Sequence, residues 1–448
     1  MESFEGRRVV VMGLGRFGGG VGVSRWLAER GADVLVTDTE EADRLDESID
    51  QVRDLVDSGA IELRLGEHRV SDFTTTDLVV VNPAVAKPWD NRFIRSAQAA
   101  GVAVTTEIGL VCELIGRERV VGVTGSAGKS TVSSMIQSAL NADGYECVLG
   151  GNIGGSLLQQ AGKLAARCVV VMELSSAMLY WLNLDRWSPR VAVVTNLEPN
   201  HLDWHGSAEH YGASKQAILR HQQSGDSAIV GFGVSDWTTN PQVDKSVAGS
   251  GIRVAGCAIP GDHNAWNGAV ALEAAERAGR LIGGRVPDVE KLTEGVRRFA
   301  GLPHRLRLVH SADGVLFYDD SKSTVPRATV LAVDAIEGSL GDAKRIRLIC
   351  GGYDKEVDLI EVASLVDRVG GVYTIGQTGP AICEASRGQA QHCETLDVAV
   401  RTAVADSKAG DAVVLSPGCA SWDQFEHFEA RGRAFEAFAR SMTRGTIQ

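Results

Sequence analysis

Short runs of β-branched residues bounded by glycine or aspartate alternate along the chain with longer stretches whose apolar residues recur every three or four positions. The first series reads "RRVVVMG", a helix through "VSRWLAERG", then "DVLVTD", "DLVVVNP" and "GVAVTTE". Near-continuous apolar strands separated by helix-length stretches predict a parallel sheet built from crossover units. This series predicts an N-terminal domain over 1–117. A second series, "RVVGVTG", "CVVVMELSS" and "RVAVVTNLEPNH", predicts a central domain over 118–305, with a glycine-rich part between Ser224 and Gly261 that is expected to be flexible. A third, "GVLFYDDSKST", "RIRLICGGYDK", "GGVYTIG" and "DAVVLSPG", predicts a C-terminal domain over 306–448. The fold expected is therefore α/β, in three tandem domains. The chain's 448 residues agree with that count at roughly 150 residues per domain.

Composition narrows the function classes. Apolar residues at 44% and charged residues at 23% describe a water-soluble globular chain. The net charge of -12 disfavours a nucleic-acid backbone as partner, because that binding needs clustered Lys and Arg. The eight cysteines follow no C-x-x-C pattern, so neither a structural zinc nor a disulfide framework is expected, and a reducing compartment is. With no leader-like start and no apolar stretch of the ~20 residues a bilayer needs, the expectation is a cytoplasmic protein without membrane insertion, and a monomer.

The strand ends carry the candidate chemistry. "GVTGSAGKST" puts Gly125, Ser126, Ala127 and Gly128 between a strand and a helix opened by Lys129, Ser130 and Thr131. Loop N–H groups and the lysine suit nucleotide phosphates there, and a hydroxyl suits Mg²⁺, so ATP binding is expected. Val123 stands where the longer phosphate-loop pattern has its first glycine. "GLGRFG" at Gly13 to Gly18, with Asp38 ending the next strand, reads as a nucleotide or nucleotide-sugar cradle, or as a tight turn. Glu173 closes "VVVME" at the carboxyl edge of its strand, as a Mg²⁺ ligand or a cap. "VAVVTN" brings Asn196 and His201 to the same edge, as the third strand of that sheet. "NHLDWHGSAEHYGASK" (Asn200 to Lys215) sets His201 and His205 four apart, a zinc-like spacing, but Gly206 argues against one continuous helix. Further on, Asn264 and Asn267 head a helix, Arg305 lies at a domain junction, and Asp320, Lys322, Thr324, Lys355, Ser421 and Phe428 follow strands or precede a helix. These place cations and hydroxyls on one edge, suited to an anionic small substrate.

In order and wording, "TGSAGKST", "ELSS", "TNLEPNHLDWHGSAEHYGASK", "HNAWN", "GLPHR", "DDSKST", "GGYDK" and "LSPGCASWDQFEHFEARG" resemble the Mur ligases, the ATP-dependent amino-acid ligases of peptidoglycan synthesis. The last stretch, with "DDSKST" and "ELSS", most resembles the D-glutamate-adding branch. The resemblance implies a Rossmann-like N-terminal domain, a P-loop ATPase-like central domain and a Rossmann-like C-terminal domain. It implies ATP, two Mg²⁺ sites, and UDP-N-acetylmuramoyl-L-alanine and D-glutamate as substrates, joined through an acyl phosphate. Carried over by position, Lys129, His201, Lys215 and Lys322 would be catalytic. Gly125 to Thr131, Asn264, Asn267, Arg305 and Asp320 would meet ATP. Gly13, Leu14, Gly15, Arg16, Phe17, Asp38, Thr39 and Asn152 would hold the UDP substrate. Lys355, Thr324, Ser421 and Phe428 would hold the amino acid. Ser130 and Glu173 would bind one Mg²⁺ and His201 a second, with Lys215 as a CO₂-derived carbamate. His205 and His210 would be structural or solvent-facing.

The chain departs from the family at Asn200, where aspartate is usual, at Val325, which replaces an asparagine, and at Arg16, bulky for its loop. Three other readings are a ligase for another residue, including the folate-polyglutamate type, a non-catalytic ATP-binding partner that kept the fold, against which Lys129, Lys215, Lys322 and Lys355 speak, and a dinucleotide-dependent oxidoreductase resting on "GLGRFG" and Asp38. The oxidoreductase reading leaves Lys129, Glu173 and the third series unexplained.

Overall fold

The computed structural model describes residues 4–15, 19–198, 202–231, 233–248, 254–259, 261–354 and 358–442. Arg16, Phe17, Asn200, His201 and Lys355 lie outside the described residues.

Three sheets carry the fold. The first contains β1 (Arg8–Met12), β2 (Asp33–Thr37), β3 (Ile61–Arg64), β4 (Leu78–Val81) and β5 (Ala103–Thr105), all parallel, in the order β3-β2-β1-β4-β5. The second contains β6 (Val120–Thr124), β7 (Cys147–Gly151), β8 (Val169–Glu173), β9 (Val191–Val194), β10 (Ser227–Val230) and β11 (Asp244–Val247). It is also all parallel, in the order β11-β10-β9-β6-β8-β7. The third contains β12 (Arg307–Ala312), β13 (Val315–Asp319), β14 (Ile346–Gly351), β15 (Gly371–Ile375), β16 (Gln391–Glu394) and β17 (Ala412–Leu415). Its order is β12-β13-β17-β14-β15-β16, and only β12 runs antiparallel. Inner strands such as β4, β6, β9 and β17 are buried at every position, as parallel strands covered on both faces must be.

Two expectations are corrected. β10 and β11 form within the glycine-rich part after Ser224, because a parallel neighbour satisfies their backbones there. β9 is the fourth strand of its sheet in chain order, since β7 intervenes.

The chain separates into two compact units, Met1–Ile252 with Ala269–Gly295, and Arg253–Gly268 with Val296–Gln448. The first unit's main core includes Trp26, Val36, Val120, Val170 and Val194, and the second packs separate clusters on the two faces of its sheet. All eight cysteines are free, six of them buried. Among the described residues, no helix is long and apolar enough to cross a membrane.

Candidate active site

β6 releases the chain into a loop that ends at Gly128, left-handed at φ +80, before the helix Lys129–Ala142. Gly125, at φ +148, has no room for a Cβ, which would collide with the Thr195 hydroxyl. Residues just beyond β9 shape the loop. Thr195 Oγ1 donates to the Ala127 carbonyl at 2.6 Å, and Asn196 Oδ1 accepts from the N–H groups of Ala127 and Ser126 at 2.8 and 3.2 Å. Ser126 Oγ donates to the Glu198 carbonyl at 2.8 Å and meets the Tyr211 hydroxyl at 2.9 Å. A glycine-bearing loop of this kind at a helix N-terminus is an anion cradle.

Two lysines converge on it. Lys129 Nζ donates to the carbonyls of Gly125 (2.9 Å) and Ser126 (3.2 Å). Lys215, on the helix Ala208–Arg220, donates to the same Gly125 carbonyl at 2.9 Å and lies 4.7 Å from the centre of the Tyr211 ring. Only 2% of Lys215 is exposed. Burial, reinforced by the Lys129 charge and opposed by Glu173, lowers its pKa to about 7. An amine so placed is available as a nucleophile at neutral pH.

Glu173 pairs in register with Val123 of β6 and is almost fully buried. Its Oε1 accepts from Asn152 Nδ2 at 2.8 Å, while Oε2 is buried with no hydrogen-bond partner. A buried carboxylate oxygen left so is costly unless a cation completes it. With the Ser130 hydroxyl at the start of the neighbouring helix, the donors are hard oxygens, which fit Mg²⁺. Among the described residues, no three His, Cys, Asp or Glu side chains gather as a ready-made metal cluster.

Lys129, Asn152, Tyr211 and Lys215 line a cleft of about 790 Å³ that Asn82 and Glu107 also line. Asn82 follows β4, and Gly13 to Gly15 follow β1, the pair at which the strand order of the first sheet reverses. Ligands bind such sheets at that point. Asp38 braces the loop after β1, its carboxylate accepting from the N–H groups of Gly15 and Glu40, both at 3.0 Å. Leu14 is wholly buried, whereas Thr39 is exposed. Burial pushes the Glu107 carboxyl up against an opposing hydrogen bond from Ser156.

In the second unit, Asp320 follows β13. It accepts from Leu306 N–H at 3.0 Å, from the Ser416 hydroxyl at 2.8 Å and from the Ser323 hydroxyl, yet burial pushes its pKa up to about 6. The buried Arg431 donates to Ser321 Oγ and Ser321 O (both 2.9 Å), Cys419 O (3.0 Å) and Ala420 O (3.1 Å). Ser321 Oγ in turn donates to the carbonyl of Phe428, the first residue of the helix Phe428–Ser441, at 2.8 Å. Lys322 Nζ lies 5.2 Å from the centre of the Phe428 ring. Ser421 is buried and Thr324 half-buried. Asn267 Nδ2 donates to Asn264 Oδ1 at 3.3 Å within the helix Asp262–Leu281, and Arg305 is exposed.

Three family models match the chain in succession: Mur ligase MurD-like, N-terminal domain at residues 7–106; Mur ligase middle domain at 123–255; and Mur ligase, glutamate ligase domain at 304–419. A UDP-N-acetylmuramoylalanine–D-glutamate ligase of a Roseiflexus species is 33% identical over 98% of this chain and 99% of its own. The chain belongs to the Mur ligase family. The enzyme of the same name from Symbiobacterium thermophilum is 32% identical over 95% of this Mur ligase and 97% of its own length. In fold, this Mur ligase is similar to the UDP-N-acetylmuramate-alanine ligase of Thermotoga maritima, at a TM-score of 0.58 and 18% identity, covering 97% of this chain and 99% of that one. It is also similar to the Thermotoga maritima MurF ligase in complex with ADP, at 0.54 and 17%, covering 98% and 96%.

Of the residues singled out in the sequence, the Mur ligase brings Gly125 to Thr131, Asn152, Glu173 and Lys215 into one neighbourhood. Asn196 lies there too, as a brace of the phosphate loop. Of the two alternatives for His205, structural or solvent-facing, the second is excluded: the residue is 3% exposed, hydrogen-bonded, and lines the cleft, and the turn at Gly206, φ +75, separates the helices Leu202–His205 and Ala208–Arg220 as Gly206 suggested. Sequence reasoning missed Asn82, Glu107, Ser176, Tyr211 and Arg431. Tyr211 was within reach, since it precedes Lys215 by four positions on one helix and so shares its face. Asn82 also directly follows an apolar strand.

Proposed function

We propose that this Mur ligase is a UDP-N-acetylmuramoyl-L-alanine:D-glutamate ligase, joining D-glutamate to the alanyl carboxylate at the expense of ATP. The observation that carries the reading is 33% identity over nearly the full length of both chains to a relative of that name. The γ-phosphoryl group of ATP passes to the alanyl carboxylate, giving an acyl phosphate and ADP. The D-glutamate amine then attacks the acyl carbon, and the tetrahedral adduct expels phosphate to leave the amide. Lys129 and the N–H groups of the Gly125 to Thr131 loop offset charge on the transferring phosphoryl group. Magnesium, when bound, would polarise phosphoryl oxygens, with Ser130, Glu173, His201 and a carbamate on Lys215 as its protein ligands at two sites. For the carbamate, the neutral Lys215 amine attacks the carbon of CO₂, an N–C bond forms, and one proton leaves the nitrogen. The lowered pKa of Lys215 supports that step.

Asn264, Asn267, Arg305 and Asp320 complete the ATP contacts in this reading. Gly13, Leu14, Gly15, Arg16, Phe17, Asp38, Thr39 and Asn152 receive the UDP substrate, Lys355, Thr324, Ser421 and Phe428 receive the amino acid, and Lys322 serves as a catalytic lysine close to the reacting centre. The domains run over 1–117, 118–305 and 306–448, and the reaction belongs to the cytoplasm, where eight free thiols persist. ADP release that requires UDP-N-acetylmuramoyl-L-alanine and D-glutamate together is the expected result; release supported by another amino acid and not by D-glutamate would reject the assignment.

A further inference from the structure

A hydrogen-bonded chain of three side chains runs from the aromatic wall beside the cleft into the cleft itself. His205 Nε2 lies 2.9 Å from Ser176 Oγ, and His205 Nδ1 lies 2.9 Å from His210 Nδ1. Ser176 and His205 are both buried, and both line the cleft with Lys129. The His210 ring is fixed by Trp89, centre to centre 4.3 Å, and by Tyr180 at 5.7 Å. Burial lowers the His210 pKa, which keeps that ring neutral with a single proton to place.

Each of the two contacts holds one proton, so only two arrangements are open to neutral rings. In one, His210 Nδ1–H donates to His205 Nδ1, His205 carries its own proton on Nε2 and donates it to Ser176, and the Ser176 proton is free to point into the cleft. In the other, Ser176 donates to His205 Nε2 and His205 Nδ1–H donates to His210, so Ser176 offers the cleft only lone pairs. An anionic oxygen in the cleft selects the first arrangement, because the second would set lone pairs against it.

We propose that Ser176 anchors the substrate by donating to an anionic oxygen of the UDP-linked molecule, and that His205 and His210 are positioning residues that fix this polarity. The proposal rests on the ligase reading for the identity of the cleft's ligand. The oxygen belongs either to the diphosphate or to the alanyl carboxylate, and two ligands separate these sources: UDP, and UDP-N-acetylmuramoyl-L-alanine.

Calorimetric titration of the full-length protein gives the test. Ser176→Ala weakens UDP-N-acetylmuramoyl-L-alanine binding about tenfold to a hundredfold, the range for a hydrogen bond to a charged group, and raises its KM more than it lowers kcat. An equal loss for UDP assigns the diphosphate, and undiminished UDP binding assigns the carboxylate. Wild-type affinity for both ligands in a folded Ser176→Ala protein overturns the proposal. His205→Gln, whose amide N–H can still donate to Ser176, retains more affinity than His205→Leu, and equal losses overturn the positioning role. Imidazole ¹⁵N spectra of the unmutated protein place the His205 proton on Nε2 in the substrate complex; a proton on Nδ1 there overturns the polarity. Turnover separates the two readings. A wild type that turns over while Ser176→Ala binds normally fails only this proposal. A wild type without turnover, but with Ser176-dependent binding of UDP, fails only the ligase assignment.

Discussion

Lys215 carries the most consequential perturbation in the first unit. Its folded pKa is near 7 against an ordinary 10.5, so between those values the unfolded chain binds a proton that the folded chain does not. Stability therefore rises with pH across that window. On the proposed carbamate reading the same titration would govern its chemistry, since only the free amine attacks CO₂. At fixed dissolved ¹³CO₂, the carbamate signal should grow as pH rises from about 6 to 8 and be absent in Lys215→Arg; a yield independent of pH would refute a neutral Lys215. At this scale the sequence was legible where chemistry is contiguous, as in Gly125 to Thr131. It was opaque where a partner is remote: Ser126 and Tyr211 meet across 85 positions, and Lys215 and Gly125 across 90. Lys215 itself was legible only through its resemblance to a family lysine.

Strands and turns show a different limit. The inner strands announced themselves as continuous apolar runs because both faces are covered. Three edge strands did not: "IELR" of β3, "DKSV" of β11 and "QHCE" of β16 each mix polar positions with apolar ones, and each is paired on one side only. "SAIV" of β10 is an inner strand, but four residues inside a glycine-rich stretch carry too little pattern to stand out. Turn geometry, by contrast, makes a sharp prediction. Gly125→Ala drives a Cβ into the Thr195 hydroxyl at a φ that L-residues rarely adopt. It should abolish binding of a non-hydrolysable ATP analogue and cost about 1–3 kcal/mol of stability by denaturant unfolding. Thr195→Ala in the same chain should recover part of the stability and little of the binding, because the backbone conformation remains strained.

For the whole chain, each compact unit has its own core, so damage to one should register there. Arg431 makes four hydrogen bonds from an almost wholly buried position. Arg431→Met should destabilise the second unit by about 2–5 kcal/mol and leave the calorimetric transition of the first near its wild-type temperature. Arg431→Lys should not rescue it, since an ammonium cannot reproduce the planar fork. The tandem α/β architecture was legible at this scale because it depends on strand–helix alternation, which survives the loss of any single edge. One feature of the first unit reaches the protein's surroundings. The Gly125 carbonyl accepts a hydrogen bond from both Lys129 and Lys215. Turning the neutral Lys215 amine into a carbamate would add one negative charge beside the phosphate loop. In metal-free buffer, raising bicarbonate should therefore weaken ADP binding in calorimetry, and with Mg²⁺ present it should strengthen it. On the carbamate reading, dissolved carbon dioxide would be a solute that tunes the nucleotide affinity of the resting protein, with the metal deciding the sign.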